Sequence, residues 1–178
     1  GLSGMAMSCD DVGGFIGSPP PDLLTPWFQL GAFNPVFRNH AATDTRPHEA
    51  WVDGPQHEAL RRQAIELRYR LMPYLYTVAE ENARTGLPIM RPVFLQYPQA
   101  QAFYGNDRDF LFGPDLFVAP VSDERLDAHQ IVLPPGEWYA FGTSQRHVAQ
   151  KDPIKLDPRP ATTPCGARSL PARSACSS

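Results

Sequence analysis

Cysteine is scarce in this sequence, and its spacing excludes two kinds of small protein. The chain contains three cysteines, Cys9, Cys165 and Cys176. An odd number leaves at least one thiol unpaired, and no two of them lie at the spacing of a zinc-ligand pair. We therefore expect neither a disulfide framework nor a zinc site built on cysteine.

Long apolar runs and clusters of basic charge are also missing. No run approaches the roughly 20 apolar residues that a helix needs to cross a bilayer. The formal net charge is −3, and the basic side chains are scattered along the chain instead of gathered into one stripe. The sequence therefore predicts neither a membrane nor a nucleic acid as a partner.

The usual cofactor motifs are absent as well. The glycine-rich residues 13–17 lack the order G-x-G-x-x-G and the later acidic residue of a dinucleotide-binding turn. Acidic and histidine side chains are present nearby, but their spacing matches no H-E-x-x-H, EF-hand or zinc pattern. These side chains are Asp10, Asp11, His40, Asp44 and His48. We predict no cofactor and no metal.

What the sequence does contain is a polar cluster within its first 40 residues. Residues 2–9 are small or apolar, which predicts a buried strand of a parallel sheet. Asp10 and Asp11 end this strand, and Gly13 and Gly14 allow a sharp turn after it. Carboxylates at a strand's end are typical of the substrate site of a barrel enzyme. Asp close to Gly is also common turn chemistry, so the local pattern alone leaves both interpretations open.

Donors and an aromatic ring complete a candidate sugar site. Arg38, Asn39 and His40 follow one another in the chain. Such donors beside the Asp11 acceptor suit sugar hydroxyls, each of which donates one hydrogen bond and accepts others. Phe15, just beyond the glycines, can pack on the apolar side of a pyranose ring. In a second interpretation, Arg38 holds Asp11 or the loop in place.

Short motifs recur in a fixed order along residues 1–142. They are Gly1-Leu2-Ser3-Gly4-Met5, Asp11-Val12-Gly13-Gly14-Phe15, Trp27-Phe28-Gln29-Leu30-Gly31-Ala32-Phe33, Phe37-Arg38-Asn39-His40, Leu67-Arg68-Tyr69-Arg70-Leu71-Met72-Pro73-Tyr74-Leu75-Tyr76, Met90-Arg91-Pro92, Phe112-Gly113-Pro114-Asp115-Leu116, Ala119-Pro120-Val121 and Gly136-Glu137-Trp138-Tyr139. Each motif alone is weak, but their order together resembles glycoside hydrolase family 31, the α-glucosidase and α-xylosidase group.

The resemblance implies a function and a set of residue roles. It implies retaining, exo-acting hydrolysis of terminal α-linked glucose, with an α-linked oligosaccharide or glycoside as the substrate. It also implies that both catalytic aspartates lie upstream of Gly1, so that the chain holds no catalytic residue and is inactive alone. Asp11 and His40 match residues that contact the sugar at the cleavage site, and Phe15 matches a Phe that lines the pocket. With Arg38, they form the predicted substrate-binding set.

The predicted fold class is α/β, in three parts. Residues 1–103 are assigned to the last part of a (β/α)8 TIM barrel, residues 104–144 to the start of an all-β sandwich, and residues 145–178 to a disordered or unrelated tail. A complete barrel needs about 250 residues, so 178 residues predict a piece of a larger protein. The chain starts Gly-Leu-Ser-Gly without a signal pattern, and neither location nor oligomeric state follows from it.

Local patterns predict the individual elements. Thr25 is expected to cap a helix whose first residue is Pro26, and a long helix is expected over about 57–85, kinked by Pro73 and ended near Gly86. Its apolar stripe is Leu60, Ala64, Leu67, Leu71, Leu75 and Val78, and its arginines are interpreted as a solvated face with packing anchors. Residues 87–97 are expected to form the last barrel strand, with residues 110–112, 116–121, 130–133 and 137–141 as strands of the sandwich.

Two further hypotheses stay open at this stage. The chain could be a non-catalytic carbohydrate-binding or regulatory piece, or a remnant without function that exposes unpaired strand edges. Trp51 could serve a subsite beyond the cleavage point or be buried against the helix that follows it.

Overall fold

A computed structural model describes residues 1–120, 130–143, 145–149, 154–155 and 165–168. The helical elements are α1 (Pro21–Gly31), α2 (Pro55–Thr85), α3 (Val93–Gln96) and a 3-10 turn (Gln101–Phe103). The strands are β1 (Met90–Pro92), β2 (Phe110–Phe112), β3 (Leu116–Val118), β4 (Gln130–Ile131), β5 (Gly136–Ala140), β6 (Arg146–Ala149), β7 (Ile154–Lys155) and β8 (Cys165–Arg168). Among the described residues, no helix has the length and apolar character needed to span a lipid bilayer.

The strands form two antiparallel sheets. Six of them lie side by side in the order β1-β2-β3-β8-β5-β6, and β4 pairs with β7. The four predicted sandwich strands are confirmed as β2, β3, β4 and β5, with shorter or slightly shifted ends. The described part of the chain contains mixed helix and sheet and no closed barrel.

The predicted disordered or unrelated tail is corrected at three places. β6, β7 and β8 all lie within residues 145–178, and β8 sits in the middle of the larger sheet, between β3 and β5. Backbone pairing along both edges holds β8, and the apolar composition of a segment does not reveal such pairing. The rest of the predicted tail lies outside the described residues.

The prediction that residues 87–97 form the last barrel strand is also wrong. Within residues 87–97 only Met90–Pro92 are extended, and β1 runs antiparallel to β2, with Arg91 opposite Leu111. Barrel strands in this architecture are parallel. Pro92 has no N–H with which to extend the ladder, and α3 begins at the next residue.

Residues 2–9 do not form the predicted buried strand. Leu2, Met5 and Met7 are 65%, 67% and 59% exposed. A parallel strand is stable when neighbouring strands and covering helices bury both of its faces, and no described strand lies beside this stretch. What is left of parallel pairing is an isolated bridge between Asp11 and Arg38.

Helix α1 begins earlier than predicted, and Thr25 has contacts other than a helix cap. The helix starts at Pro21, and Pro26 lies inside it. The Thr25 hydroxyl does not cap the helix. It is buried, and it lies 2.9 Å from Nδ1 of His57 and accepts a hydrogen bond from Nε of Arg61 at 3.0 Å.

Helix α2 confirms the predicted length and end but corrects its buried face. It ends at Thr85 before Gly86, which has a φ of 76° in the left-handed region, and it continues through Pro73 without interruption. The buried stripe is Arg61, Ala64, Arg68, Leu71, Leu75 and Val78. Two arginines interpreted as part of a solvated face therefore occupy core positions.

The sheet is buried on both sides near α2. Phe110 and Phe112 of β2 pack in one cluster with Leu71, Leu75 and Val78 of the long helix. Alternate side chains of the strands point the other way, and Leu111, Phe117 and Trp138 join a second cluster on the opposite face.

Tyr74 ties α2 to the turn between β2 and β3. Its hydroxyl donates to the Phe112 carbonyl at 3.0 Å and accepts from the Asp115 amide at 3.1 Å. Burial raises the pKa of this phenol above its ordinary value. The residue joins the helix to the sheet through polar contacts inside the core.

We expect Tyr74→Phe to lower the free energy of unfolding by about 1–3 kcal/mol, because it leaves buried backbone groups without this partner. Urea unfolding followed by circular dichroism measures the change. Tyr76→Phe is the matched control in the same helix, because Tyr76 is 80% exposed. Its expected change is below about 0.5 kcal/mol. Equal effects of the two substitutions would contradict a stabilising role for the Tyr74 hydroxyl.

Candidate functional site

Asp11 and Arg38 lie side by side at the ends of two neighbouring segments. The Val12 amide donates to the Arg38 carbonyl at 2.9 Å, which fixes the two segments in parallel. Nε of Arg38 donates to Oδ1 of Asp11 at 2.8 Å, and Nη2 donates to the same oxygen. Both of these bonds reach Oδ1, the hydrogen bonds described for Asp11 do not involve Oδ2, and the Asp11 side chain is 16% exposed.

Phe15 and His40 form a second pair beside the first. Their ring centroids are 5.3 Å apart, with planes inclined by 32°, and the Ala42 amide donates to the Phe15 carbonyl at 2.8 Å. Phe15 is 46% exposed, and His40 is exposed as well. A half-exposed aromatic face beside an exposed imidazole offers both an apolar surface and a hydrogen-bonding group.

The structure therefore brings the four predicted site residues together as two contacting pairs. Arg38 is paired with Asp11, as in the second interpretation of the sequence, and its side chain is 55% exposed. Asp10 is exposed, next to the partly buried Asp11. Adjacent residues of an extended segment point in opposite directions, which argues against Asp10 and Asp11 as a pair around one bond.

A cleft of about 280 Å³ adjoins His40. It is lined by Asn39, His40, Ala41, Ala42, Thr45, Arg46, Pro47, His48 and Glu49. Trp51 lies farther along the same loop and is 69% exposed, so it is not buried against α2. Within the part of the chain that the structure describes, no group of three His, Cys, Asp or Glu side chains is arranged to hold a metal ion.

A buried ion-pair network fastens this loop to α2. Asp53 accepts from Nη2 of Arg61 at 2.6 Å and also from Arg46. Nη1 of Arg61 donates to the carbonyls of Val52, at 2.9 Å, and Glu49, at 3.4 Å. The Arg61 side chain is 0% exposed and that of Asp53 7%. Burial lowers the pKa of the Arg61 guanidinium, and the network provides the hydrogen bonds that such a buried charge requires.

Arg68, seven residues after Arg61 in α2, anchors the segment that follows α1 in a similar way. It donates to the carbonyls of Ala32, Asn34 and Pro35 at 3.1, 2.5 and 2.7 Å. These carbonyls follow the end of α1, where helical carbonyls lack partners. Arg68 thus fixes the segment that leads to Arg38 and His40.

The sequence analysis expected packing anchors among the arginines of α2 but did not identify which of them are buried, although a signal was present. Arg61 and Arg68 fall seven residues apart and in phase with the apolar residues of α2. An arginine at a core-facing position of a helix indicates a buried partner, because an unpaired buried charge is too costly. The loop residues Asp53 and Arg46 carried no local signal of burial.

His48 is buried in the same loop. The residue is 4% exposed, and neither Nδ1 nor Nε2 has a hydrogen-bond partner among the described residues. Burial of the ring, together with the nearby charge of Arg46, lowers the pKa of His48 below 6.5. The imidazole is therefore neutral at pH 7.

Comparison with known proteins gives one consistent family. Residues 1–78 match the family model described as Glycosyl hydrolases family 31 TIM-barrel domain. Residues 86–170 match the model of the Glycosyl hydrolase family 31 C-terminal domain. The second match extends well beyond residue 144, so residues 145–170 are not unrelated to the family.

Three similar proteins illustrate the relationship. The probable glucan 1,3-alpha-glucosidase of Oryza sativa subsp. japonica is 45% identical over 140 residues, which are 78% of this chain and 15% of the rice protein. The crystal structure of glucosidase II alpha subunit in its Glc1Man2-bound form superimposes with a TM-score of 0.88 at 33% identity, over 94% of this chain and 18% of that one. A GH31 alpha-xylosidase from a soil metagenome, complexed with xylose, gives a TM-score of 0.88 at 29% identity, over 96% of this chain and 29% of that one.

The chain spans about 15% of the length of the rice relative. Two family models nevertheless account for nearly all of it in the correct order, and the solved relatives share its fold over nearly its whole length. The chain belongs to glycoside hydrolase family 31.

Proposed function

We propose that this chain is the C-terminal end of the catalytic barrel, with the following β-sandwich, of a longer retaining α-glycosidase. Asp11, Phe15, Arg38 and His40 bind the sugar unit at the cleavage site. The observation that carries the proposal is the pairing of Asp11 with Arg38 together with the contact between the rings of Phe15 and His40. The four residues supply a carboxylate, a guanidinium, an imidazole and an apolar ring face, and His40 also lines the neighbouring cleft.

The chemistry proposed for the whole protein requires two further carboxyl groups. In a retaining glycosidase one carboxylate attacks the anomeric carbon while a carboxylic acid protonates the leaving oxygen, and water then hydrolyses the glycosyl-enzyme. The two groups lie about 5–5.5 Å apart in such enzymes. Neighbouring residues of an extended segment do not flank one bond together, so Asp10 and Asp11 are not this pair in our proposal, and the residues of this chain bind and orient the sugar instead.

Glucose is the sugar we propose for this site. The rice relative is named as a glucan 1,3-alpha-glucosidase, and the glucosidase II alpha subunit was solved with Glc1Man2 bound. The alpha-xylosidase complexed with xylose is the competing precedent. The two sugars differ by one hydroxymethyl group, so the choice between them is a measurable ratio of rates.

The full-length protein, obtained by extending the coding DNA in both directions, is the material for the test. We expect it to hydrolyse an aryl α-glucoside faster than the matching aryl α-xyloside, and to release the α-anomer first, as followed by proton NMR. The 178-residue chain alone is expected to show no turnover. Hydrolysis by the isolated chain would contradict the proposal. A full-length protein without hydrolysis, together with glucose binding by the isolated chain that Asp11→Ala abolishes, would favour a carbohydrate-binding module instead.

A further inference from the structure

We propose that His48 is a positioning residue that holds the two halves of the sugar site in register, and that it does so only while its imidazole is neutral. The inference rests on the proposed function, because that function makes these residues a sugar site. The contacts of His48 that support it are all within this chain.

His48 touches both halves of the site. Its ring lies against the turn that follows Asp11, where a Cβ on Gly13 would be 2.9 Å from Nδ1 of His48 and 2.7 Å from Cδ1 of Leu24. Its backbone carbonyl accepts a hydrogen bond from Nδ2 of Asn39, the residue between Arg38 and His40. A movement of His48 therefore reaches both pairs of site residues.

The loop that carries His48 is held firmly on its other side. Arg61 binds the carbonyls of Glu49 and Val52 and the carboxylate of Asp53. Nη1 of Arg46 donates to the Pro19 carbonyl at 3.1 Å. Because the loop is fastened within two residues on each side of His48, a change at the ring is transmitted to Gly13 and Asn39 and is not absorbed by the loop.

The neighbours of the ring explain why it must stay neutral. Its own loop presents the cation Arg46 and the carboxylate Glu49, α2 presents the cation Arg61, and the turn and α1 present Gly13 and Leu24. A charged imidazole here would be buried without a hydrogen-bond partner and close to two arginines, with one carboxylate opposing them. Such a group leaves the protein interior or loses its proton.

The direction of the pH effect follows from the lowered pKa. The unfolded chain takes up the proton near pH 6.5, and the folded chain does so only at lower pH. The contribution of neutral His48 is therefore complete above pH 6.5 and is lost as pH falls through the pKa of the folded state. The contact with Gly13 loosens over the same range.

NMR titration of the 15N-labelled chain from pH 8 to pH 5 tests the coupling without any assay of activity. We expect the Gly13 and Asn39 amide shifts to change with the same midpoint as the His48 ring nitrogens. The ring nitrogens of His57, which lies near Asp22 and contacts Thr25, are followed in the same spectra so that their signals are distinguished from those of His48. Amide shifts of Gly13 and Asn39 that do not follow His48 would overturn the proposal.

Two substitutions of His48 sharpen the test. His48→Phe keeps a ring against Gly13 and cannot be charged, so the pH-dependent part of the Gly13 and Asn39 shifts should disappear. His48→Ala removes the contact, so both amides should show the low-pH shifts already at pH 7.5. An unchanged pH profile in His48→Phe would refute the role of the imidazole, and wild-type shifts in His48→Ala would refute the positional role.

Glucose binding by the full-length protein separates this proposal from the proposed function. The wild type should lose affinity by up to about tenfold for each unit of pH below the pKa of His48, since only the neutral form is competent. His48→Phe should lose less than about twofold over the same range. A full-length protein that binds no glucose at any pH contradicts the proposed function. In that case the NMR titration still tests whether His48 positions Gly13 and Asn39. Glucose affinity with the same pH dependence in both proteins contradicts the positioning role alone.

Discussion

Asp11→Asn is expected to lower kcat/KM for an aryl α-glucoside by at least about 100-fold in the full-length protein. A hydrogen bond to a charged group is worth about 1.5–3 kcal/mol, and each 1.36 kcal/mol is a factor of ten in rate. In our proposal the Asp11 carboxylate accepts from a sugar hydroxyl, and its Oδ1 also orients Arg38. The substitution removes the charge behind both contacts.

Loss of folding does not explain such an effect. The Arg38 side chain is 55% exposed, and an ion pair of that kind contributes about 0–1 kcal/mol to stability. We therefore expect Asp11→Asn to unfold at nearly the wild-type urea concentration while its rate falls steeply.

The neighbouring carboxylate supplies the control. Asp10 is exposed and does not belong to the proposed binding set, so we expect Asp10→Asn to keep kcat/KM within about twofold of the wild type. His40→Ala should resemble Asp11→Asn. Near-normal kinetics in both Asp11→Asn and His40→Ala would remove these residues from the substrate site.

Arg61→Ala carries the largest expected loss of stability, about 3–5 kcal/mol. The substitution leaves the buried Asp53 carboxylate with Arg46 alone, and it removes the donor to Thr25 and to two loop carbonyls. The guanidinium also lies 5.6 Å from the ring centroid of Phe28. The free energy of unfolding of a folded domain is about 5–15 kcal/mol, so this one substitution removes a large part of it.

Urea unfolding with Arg62→Ala as the matched control measures this effect. Arg62 is the next residue of α2, and its side chain is 64% exposed and paired with Glu58. Its loss should cost less than about 0.5 kcal/mol. Arg61→Met keeps most of the aliphatic volume, so it separates lost packing from lost polar contacts. Similar midpoints for Arg61→Ala and Arg62→Ala would refute the buried network.

The sequence by itself determined the features that are encoded within a few residues. The periodic side chains of α2, with Gly86 after it, predicted the helix and its end. Short apolar runs between Gly and Pro predicted β2 to β5. The ordered motifs identified the family, and they selected Asp11, Phe15, Arg38 and His40, which the structure brings together in two pairs.

The tertiary structure decided what depends on groups far apart in the chain. Residues 2–9 read as a strand, but no described strand pairs with them, whereas β8 lacks an apolar pattern and is held between β3 and β5. The Thr25 hydroxyl binds Arg61 of α2 and does not cap α1, which includes Pro26, and the buried Arg61 finds its partner in Asp53 of a distant loop. Local patterns state what a segment can form, while the free energy of pairing and burial depends on the neighbour it meets, and that neighbour is set by the whole fold.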